Sequence, residues 1–120
     1  HWLLPVLMPP VLLMTARRDQ TLPNAMNGDL IAQDLDGVDD LYLDFNEAGH
    51  FTFSNLCDLL PEVSVGDGCG DGFADPVVFQ RAVNAYILAF VRNRLWGDDS
   101  AESILTGADD LGVRLNSSEW

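Results

Sequence analysis

Lysine is absent from this chain. Its six basic residues are all arginine, set against 19 Asp and Glu, and the formal charge is −13 over 120 residues. A surface of that sign repels nucleic-acid phosphates and anionic lipid headgroups, so no nucleic-acid partner is expected. Beyond that, the acidity indicates only a well-solvated surface. Histidine and cysteine are also scarce: His1, His50, Cys57 and Cys69 are all there are. A zinc site built on the usual nitrogen and sulfur ligands finds little support in that set. Long hydrophobic runs are missing too. The apolar start is short and broken by Pro5, Pro9 and Pro10, so no membrane span is expected. It has neither an initiator Met nor the basic segment of a secretory signal. The chain is therefore expected to begin at a processed, engineered or truncated end.

What is present suits a packed core. Hydrophobic residues make up 48% of the chain and aromatics 9%, which argues against disorder. Pro10 precedes Val11-Leu12-Leu13-Met14, a wholly apolar run followed by Thr15-Ala16. Such a run, without polar alternation, reads as a strand buried on both faces of a parallel sheet. A helix is predicted over 25–35, with Met26, Leu30, Ile31 and Leu35 on one face and Gly37 as its stop. Leu41 to Phe45 reads as a second strand, with Leu41, Leu43 and Phe45 sharing a face. Ser54 is placed to cap a short helix through Leu56, Leu59 and Leu60. The clearest helix opens at Asp75-Pro76, an N-cap followed by the proline favoured in the first turn. Its stripe is Phe79, Ala82, Val83, Tyr86, Ile87, Phe90 and Val91, and Gly97 stops it. The tail from Asp98 to Trp120 is polar with scattered apolar anchors.

Strand, helix, strand is a βαβ unit. The fold class is α/β. A two-stranded parallel sheet is a poor domain by itself, so more sheet is expected to belong beside the first strand.

Asp19 follows the first strand and His50 follows the second. Functional groups in open parallel sheets gather at the carboxyl ends of strands, so these two positions can converge. A carboxylate beside an imidazole fixes its tautomer and stabilises the imidazolium, and the imidazole shuttles a proton to and from a nucleophile. Asp44 and Asp29 are the nearest alternatives for the acid. The plainer readings are a turn residue for Asp19 and a loop histidine for His50.

The segment from Pro10 to Pro23 (Pro-Val-Leu-Leu-Met-Thr-Ala-Arg-Arg-Asp-Gln-Thr-Leu-Pro) resembles the strand and acid loop of α/β-hydrolases. Ala48-Gly49-His50-Phe51-Thr52-Phe53-Ser54-Asn55-Leu56-Cys57 resembles their histidine loop. The helix ending Phe90-Val-Arg-Asn-Arg-Leu-Trp96-Gly97 is similar to the last helix of one group of that fold. This group contains dienelactone-hydrolase-like proteins, platelet-activating-factor acetylhydrolases and chlorophyllase-like or polyester-cleaving esterases. The resemblance covers about 9–100.

It implies that 1–120 is the C-terminal β-α-β-α part of a single α/β-hydrolase domain, incomplete alone. It also implies a serine-type carboxylic-ester hydrolase in which Asp19 is the triad acid and His50 the base, with no cofactor. The order of acid before histidine agrees with that fold. The Gly-x-Ser-x-Gly elbow does not occur. Ser54, Ser64, Ser100, Ser103, Ser117 and Ser118 all lack that setting, and in Gly68-Cys69-Gly70 the glycines flank the cysteine directly. The expected partners are an ester and the missing N-terminal portion of the sheet, and the isolated chain is expected to be inert.

Cys57 and Cys69 flank a loop rich in Gly and Asp. They suggest either a local disulfide, with a secreted or periplasmic location, or two free thiols. Asp67 to Asp75 matches an EF-hand loop at its first, fifth, sixth and ninth positions. Cys69 and Val78 stand where oxygen ligands belong, so an acidic surface loop is the preferred reading. Phe51, Phe53 and Phe73 suit either an acyl pocket or the core. Arg17 and Arg18 are given no role. The rival from another class is a non-catalytic acidic binding module, possible with or without calcium.

Overall fold

The computed structural model describes residues 9–35, 37, 39–60, 62, 66–107 and 109–116. His1, Pro5, Ser64, Ser117, Ser118 and Trp120, named above, lie outside the described residues. Two strands, β1 (Leu12–Ala16) and β2 (Leu41–Phe45), pair in parallel, with Leu12 opposite Leu41 and Ala16 opposite Phe45. Between them come a 3-10 turn, Asn24–Met26, and helix α1 (Gly28–Gln33). After β2 follow a 3-10 turn at His50–Phe53, helix α2 (Leu56–Leu59) and the long helix α3 (Pro76–Trp96). A 3-10 turn at Asp99–Ala101 and helix α4 (Glu102–Leu105) complete the order. The architecture is α/β around a parallel sheet.

The strand period of two sorts side chains to opposite faces. Leu12, Met14 and Ala16 share a face with Leu41, Leu43 and Phe45, and that face packs on Phe79, Ala82 and Tyr86 of α3. Leu43, Phe45 and Phe79 are essentially fully buried, each worth about 1.5–3 kcal/mol of apolar transfer. The rings meet edge to face, with Phe45–Phe79 and Phe53–Phe79 centroids both 5.0 Å apart. That is a favoured aromatic geometry. Phe53 thus extends the core.

The other face is polar at its centre. Asp44 is buried there and accepts from Thr15 Oγ1 and Asn24 Nδ2, both at 3.0 Å. The Arg17 guanidinium closes over its second oxygen. Asp29 accepts from the Tyr42 hydroxyl at 3.3 Å. Burial is the main reason the Tyr42 phenol is raised above its ordinary value.

α3 follows the sequence signals closely. Asp75 accepts from the amides of Val77 and Val78, Pro76 opens the helix, and Gly97 ends it in a left-handed conformation. Its buried residues are Phe79, Ala82, Tyr86, Ala89 and Phe90. Ile87, expected on the buried stripe, is exposed. The tail returns to the sheet: Leu115 bridges Phe45 antiparallel, and Asn46 N donates to Arg114 O at 2.8 Å. This covers part of the outer edge of β2.

Three expectations are corrected. The helix predicted over 25–35 is broken at Asn27 and stops at Gln33, ahead of Gly37. The break falls where the Asn24 amide turns inward to Asp44, and where Gly28 lies so close to Thr15 that a Cβ would sit 2.5 Å from its Cγ2. Tertiary contacts override helix continuity there. Second, Met26, Leu30 and Ile31 are exposed among the described residues, with Met26 at 73%. Third, Leu12, Leu13 and Met14 are only half-buried. No strand lies on the outer side of β1 among the described residues.

Among the described residues, no helix is long and apolar enough to cross a membrane.

Candidate active site

The parallel ladder runs past the strand ends. Arg17 N donates to Phe45 O at 2.9 Å and Arg18 N to Ala48 O at 3.0 Å. The two loops therefore leave the sheet side by side, so Asp19, one residue past Arg18, and His50, two past Ala48, can meet. His50 Nδ1 lies 3.0 Å from Asp19 Oδ2. The other Asp19 oxygen accepts from Thr21 N at 2.9 Å and Leu22 N at 2.6 Å. The local Asx turn thus aims one oxygen at the imidazole by tying down the other.

A carboxylate that accepts from Nδ1 selects the tautomer with the proton on Nδ1 and the lone pair on Nε2. Nε2 has no hydrogen-bond partner among the described residues. The His50 side chain is 30% accessible and that of Asp19 12%. This arrangement can accept a proton at Nε2 while the charge that forms is stabilised at Nδ1. Asp44 and Asp29, the alternative acids, are committed on the other face of the sheet.

No nucleophile faces Nε2 among the described residues. The Ser54 hydroxyl is held by Phe51 O and Leu56 N. Ser54 accepts from the Leu56 amide, but the N-cap of α2 is Asn55 and not Ser54 as expected, and Leu59 and Leu60 are exposed. Ser100 and Ser103 bond to Asp98 and Asp109. The Phe51 ring stands edge-on to the imidazole, with centroids 5.0 Å apart.

The Gly- and Asp-rich loop is more than a surface excursion, because it braces both loops of the site. Cys57 and Cys69 stand at disulfide distance, with Cα atoms 5.4 Å apart. Asp67 accepts from the amides of His50 and Gln20, each at 3.0 Å, and from the Thr21 hydroxyl at 2.7 Å. Burial alone raises the Asp67 carboxyl. The hydrogen bonds from Gln20, His50 and Thr21 outweigh that and hold it below the ordinary carboxylate value. Thr52, fully buried, accepts from Gly49 N and donates to Gly68 O, both at 2.9 Å. Arg18 donates to Gly72 O and lies over the Phe73 ring at 4.3 Å. Arg18, given no role from sequence, is a strut between the acid loop and the glycine loop.

Asp67 and Arg18 were not found as site residues from sequence. Asp67 stood within a run of acidic and glycine residues that looked alike, and nothing local marks its long-range bonds. Among the described residues, no group of three or more His, Cys, Asp or Glu is arranged to hold a metal ion.

Comparison of the chain with protein-family models, with curated proteins and with solved structures finds no match.

Proposed function

We propose that this chain carries the base and the orienting acid of a serine-type carboxylic-ester hydrolase of the α/β-hydrolase class. The observation that carries the reading is the Asp19–His50 contact at 3.0 Å, with the second Asp19 oxygen anchored by backbone amides. Both residues follow the carboxyl ends of parallel strands, where such sites form.

In the proposed reaction, a serine hydroxyl adds to the ester carbonyl carbon and gives its proton to His50 Nε2. Collapse of the tetrahedral species breaks the bond to the leaving oxygen, which takes that proton from His50. Water then repeats the sequence on the acyl-serine and releases the acid. Asp19 holds the imidazole throughout. No cofactor enters these steps.

The serine elbow and the oxyanion donors belong, in this reading, to a further part of the sheet. Its place is the outer side of β1, where the strand is only half-buried. The exposed Met26 of the 3-10 turn and Leu30 and Ile31 of α1 are apolar surface that such a part would cover. The chain is then the C-terminal part of one domain, and the pairing of Cys57 with Cys69 favours a secreted or periplasmic location.

The test is p-nitrophenyl ester turnover by the protein with its serine-bearing portion. His50→Ala or Asp19→Ala is expected to lower kcat on the order of 10⁴-fold with little change in fold. The 120 residues alone are expected to give no turnover above buffer. Wild-type rates after either substitution, or an enzymatic rate from the chain alone that survives His50→Ala, overturn the assignment.

A further inference from the structure

We propose that Asp67 is a positioning residue for the Asp19–His50 pair, locking the acid loop and the histidine loop in register through a single carboxylate. The proposal rests on the hydrolase reading for the use of the pair, while the positioning is a property of this chain.

The ladder that aligns the two loops ends at the bond from Arg18 N to Ala48 O. Beyond it, the loops meet directly at the Asp19–His50 contact, and through the glycine loop by Asp67, by the Arg18 guanidinium on Gly72 O and by the Gln20 side-chain amide on Gly66 O at 2.7 Å. One Asp67 oxygen receives His50 N and Gln20 N, each at 3.0 Å. It is thus bonded to the backbone of the imidazole residue and to that of the residue after the acid. The other oxygen receives the Thr21 hydroxyl at 2.7 Å. Thr21 is also the residue whose amide orients Asp19, at 2.9 Å. Every bond of this carboxylate therefore lands on a residue that sets the position of Asp19 or His50.

Asp67 is itself held firmly. Its carbonyl accepts from Phe51 N at 2.9 Å. Gly68 beside it packs against Thr52, and Cys69 is tied to Cys57. The carboxyl stays ionised through the neutral range, and hydrogen bonds to an ionised acceptor are stronger than neutral ones. A serine or alanine here would leave the Asp19–His50 contact supported only through the Arg18 and Gln20 side chains on the glycine loop, neither of which bonds to the histidine loop itself.

The test reads the His50 tautomer in the chain labelled with ¹⁵N-histidine, by two-bond ¹H–¹⁵N correlation across the ring, assigned against His50→Gln. The wild-type chain is expected to show the Nδ1–H form. Asp67→Ala is expected to lower the ratio of Nδ1–H to Nε2–H about tenfold, the scale of one hydrogen bond, with far-ultraviolet circular dichroism retained. Asp67→Asn keeps an oxygen for the two amides and is expected to restore most of the ratio. A wild-type ratio in Asp67→Ala, or an Asp67→Asn as impaired as Asp67→Ala, overturns the proposal. Should Asp67→Ala fail to fold, Thr21→Val decides. Losing that bond alone is expected to lower the ratio about threefold, and an unchanged ratio again overturns the proposal. Asp19→Ala separates this from the hydrolase reading. If it leaves the tautomer unchanged, the pairing itself fails; if only the Asp67 variants do, the pairing stands and Asp67 does not position it.

Discussion

Substituting Gly68 and Gly70 by alanine separates two costs that the glycine loop combines. Both residues have positive φ, +127° and +96°, so an alanine at either is strained by about 1–3 kcal/mol. Their surroundings differ. At Gly70 an added Cβ meets nothing within 4 Å. At Gly68 it would lie 2.6 Å from Thr52 N and 2.9 Å from Phe51 N, both backbone atoms that no rotamer change can move. Relief requires the loop to withdraw from the 3-10 turn at His50–Phe53. That breaks the Thr52 hydroxyl bond to Gly68 O in a buried setting, at about 1–3 kcal/mol. Gly68→Ala should therefore cost about 2–6 kcal/mol, and Gly70→Ala about 1–3, the strain being common to both. Against a typical domain stability of about 5–15 kcal/mol, that difference is easily resolved. Urea unfolding of the oxidised protein, followed by fluorescence, measures it. Equal midpoints for the two variants would refute the packed junction between the glycine loop and the histidine loop.

Two further outcomes are expected. Phe79→Ala removes the ring shared by Phe45 and Phe53 at the centre of the core and should cost about 3–5 kcal/mol in the same assay; a loss under about 1 kcal/mol would mean the α3 contact is not the core. The third concerns acid. The folded Asp67 carboxyl lies below its ordinary value of 3.8, so the unfolded chain binds that proton more readily than the folded one. Its stabilising contribution is present above that ordinary value and is lost as pH falls through the lower folded value. Urea midpoints taken from pH 7 down to 3 should fall more steeply for wild type than for Asp67→Asn, and parallel curves would contradict the assignment.

Much of the fold is legible from local chemistry. Asp75, Pro76 and Gly97 bracket α3 because a cap, a first-turn proline and a left-handed stop act within a few residues. The strand at Leu41–Phe45 is legible because alternate residues need one buried face. The juxtaposition of Asp19 with His50 is legible because both follow parallel strands, and adjacent strands deliver their loops to one place.

Other features depend on partners far along the chain. A helix was expected through Asn27 because apolar periodicity does not register that Asn24 has a buried carboxylate to reach, 20 residues on. Asp67 is indistinguishable in sequence from Asp71, yet it takes bonds from residues 46, 47 and 17 positions away. Arg17 and Arg18 stand together in sequence, but strand alternation sends one to Asp44 and the other to the glycine loop. The sequence by itself determined the two strands, α3 with its caps, and the strand ends that Asp19 and His50 follow, since these depend on neighbours in the chain. Which carboxylate braces the pair, and which apolar faces stay uncovered, was decided only by tertiary structure, because burial and hydrogen bonding depend on what the folded chain brings alongside.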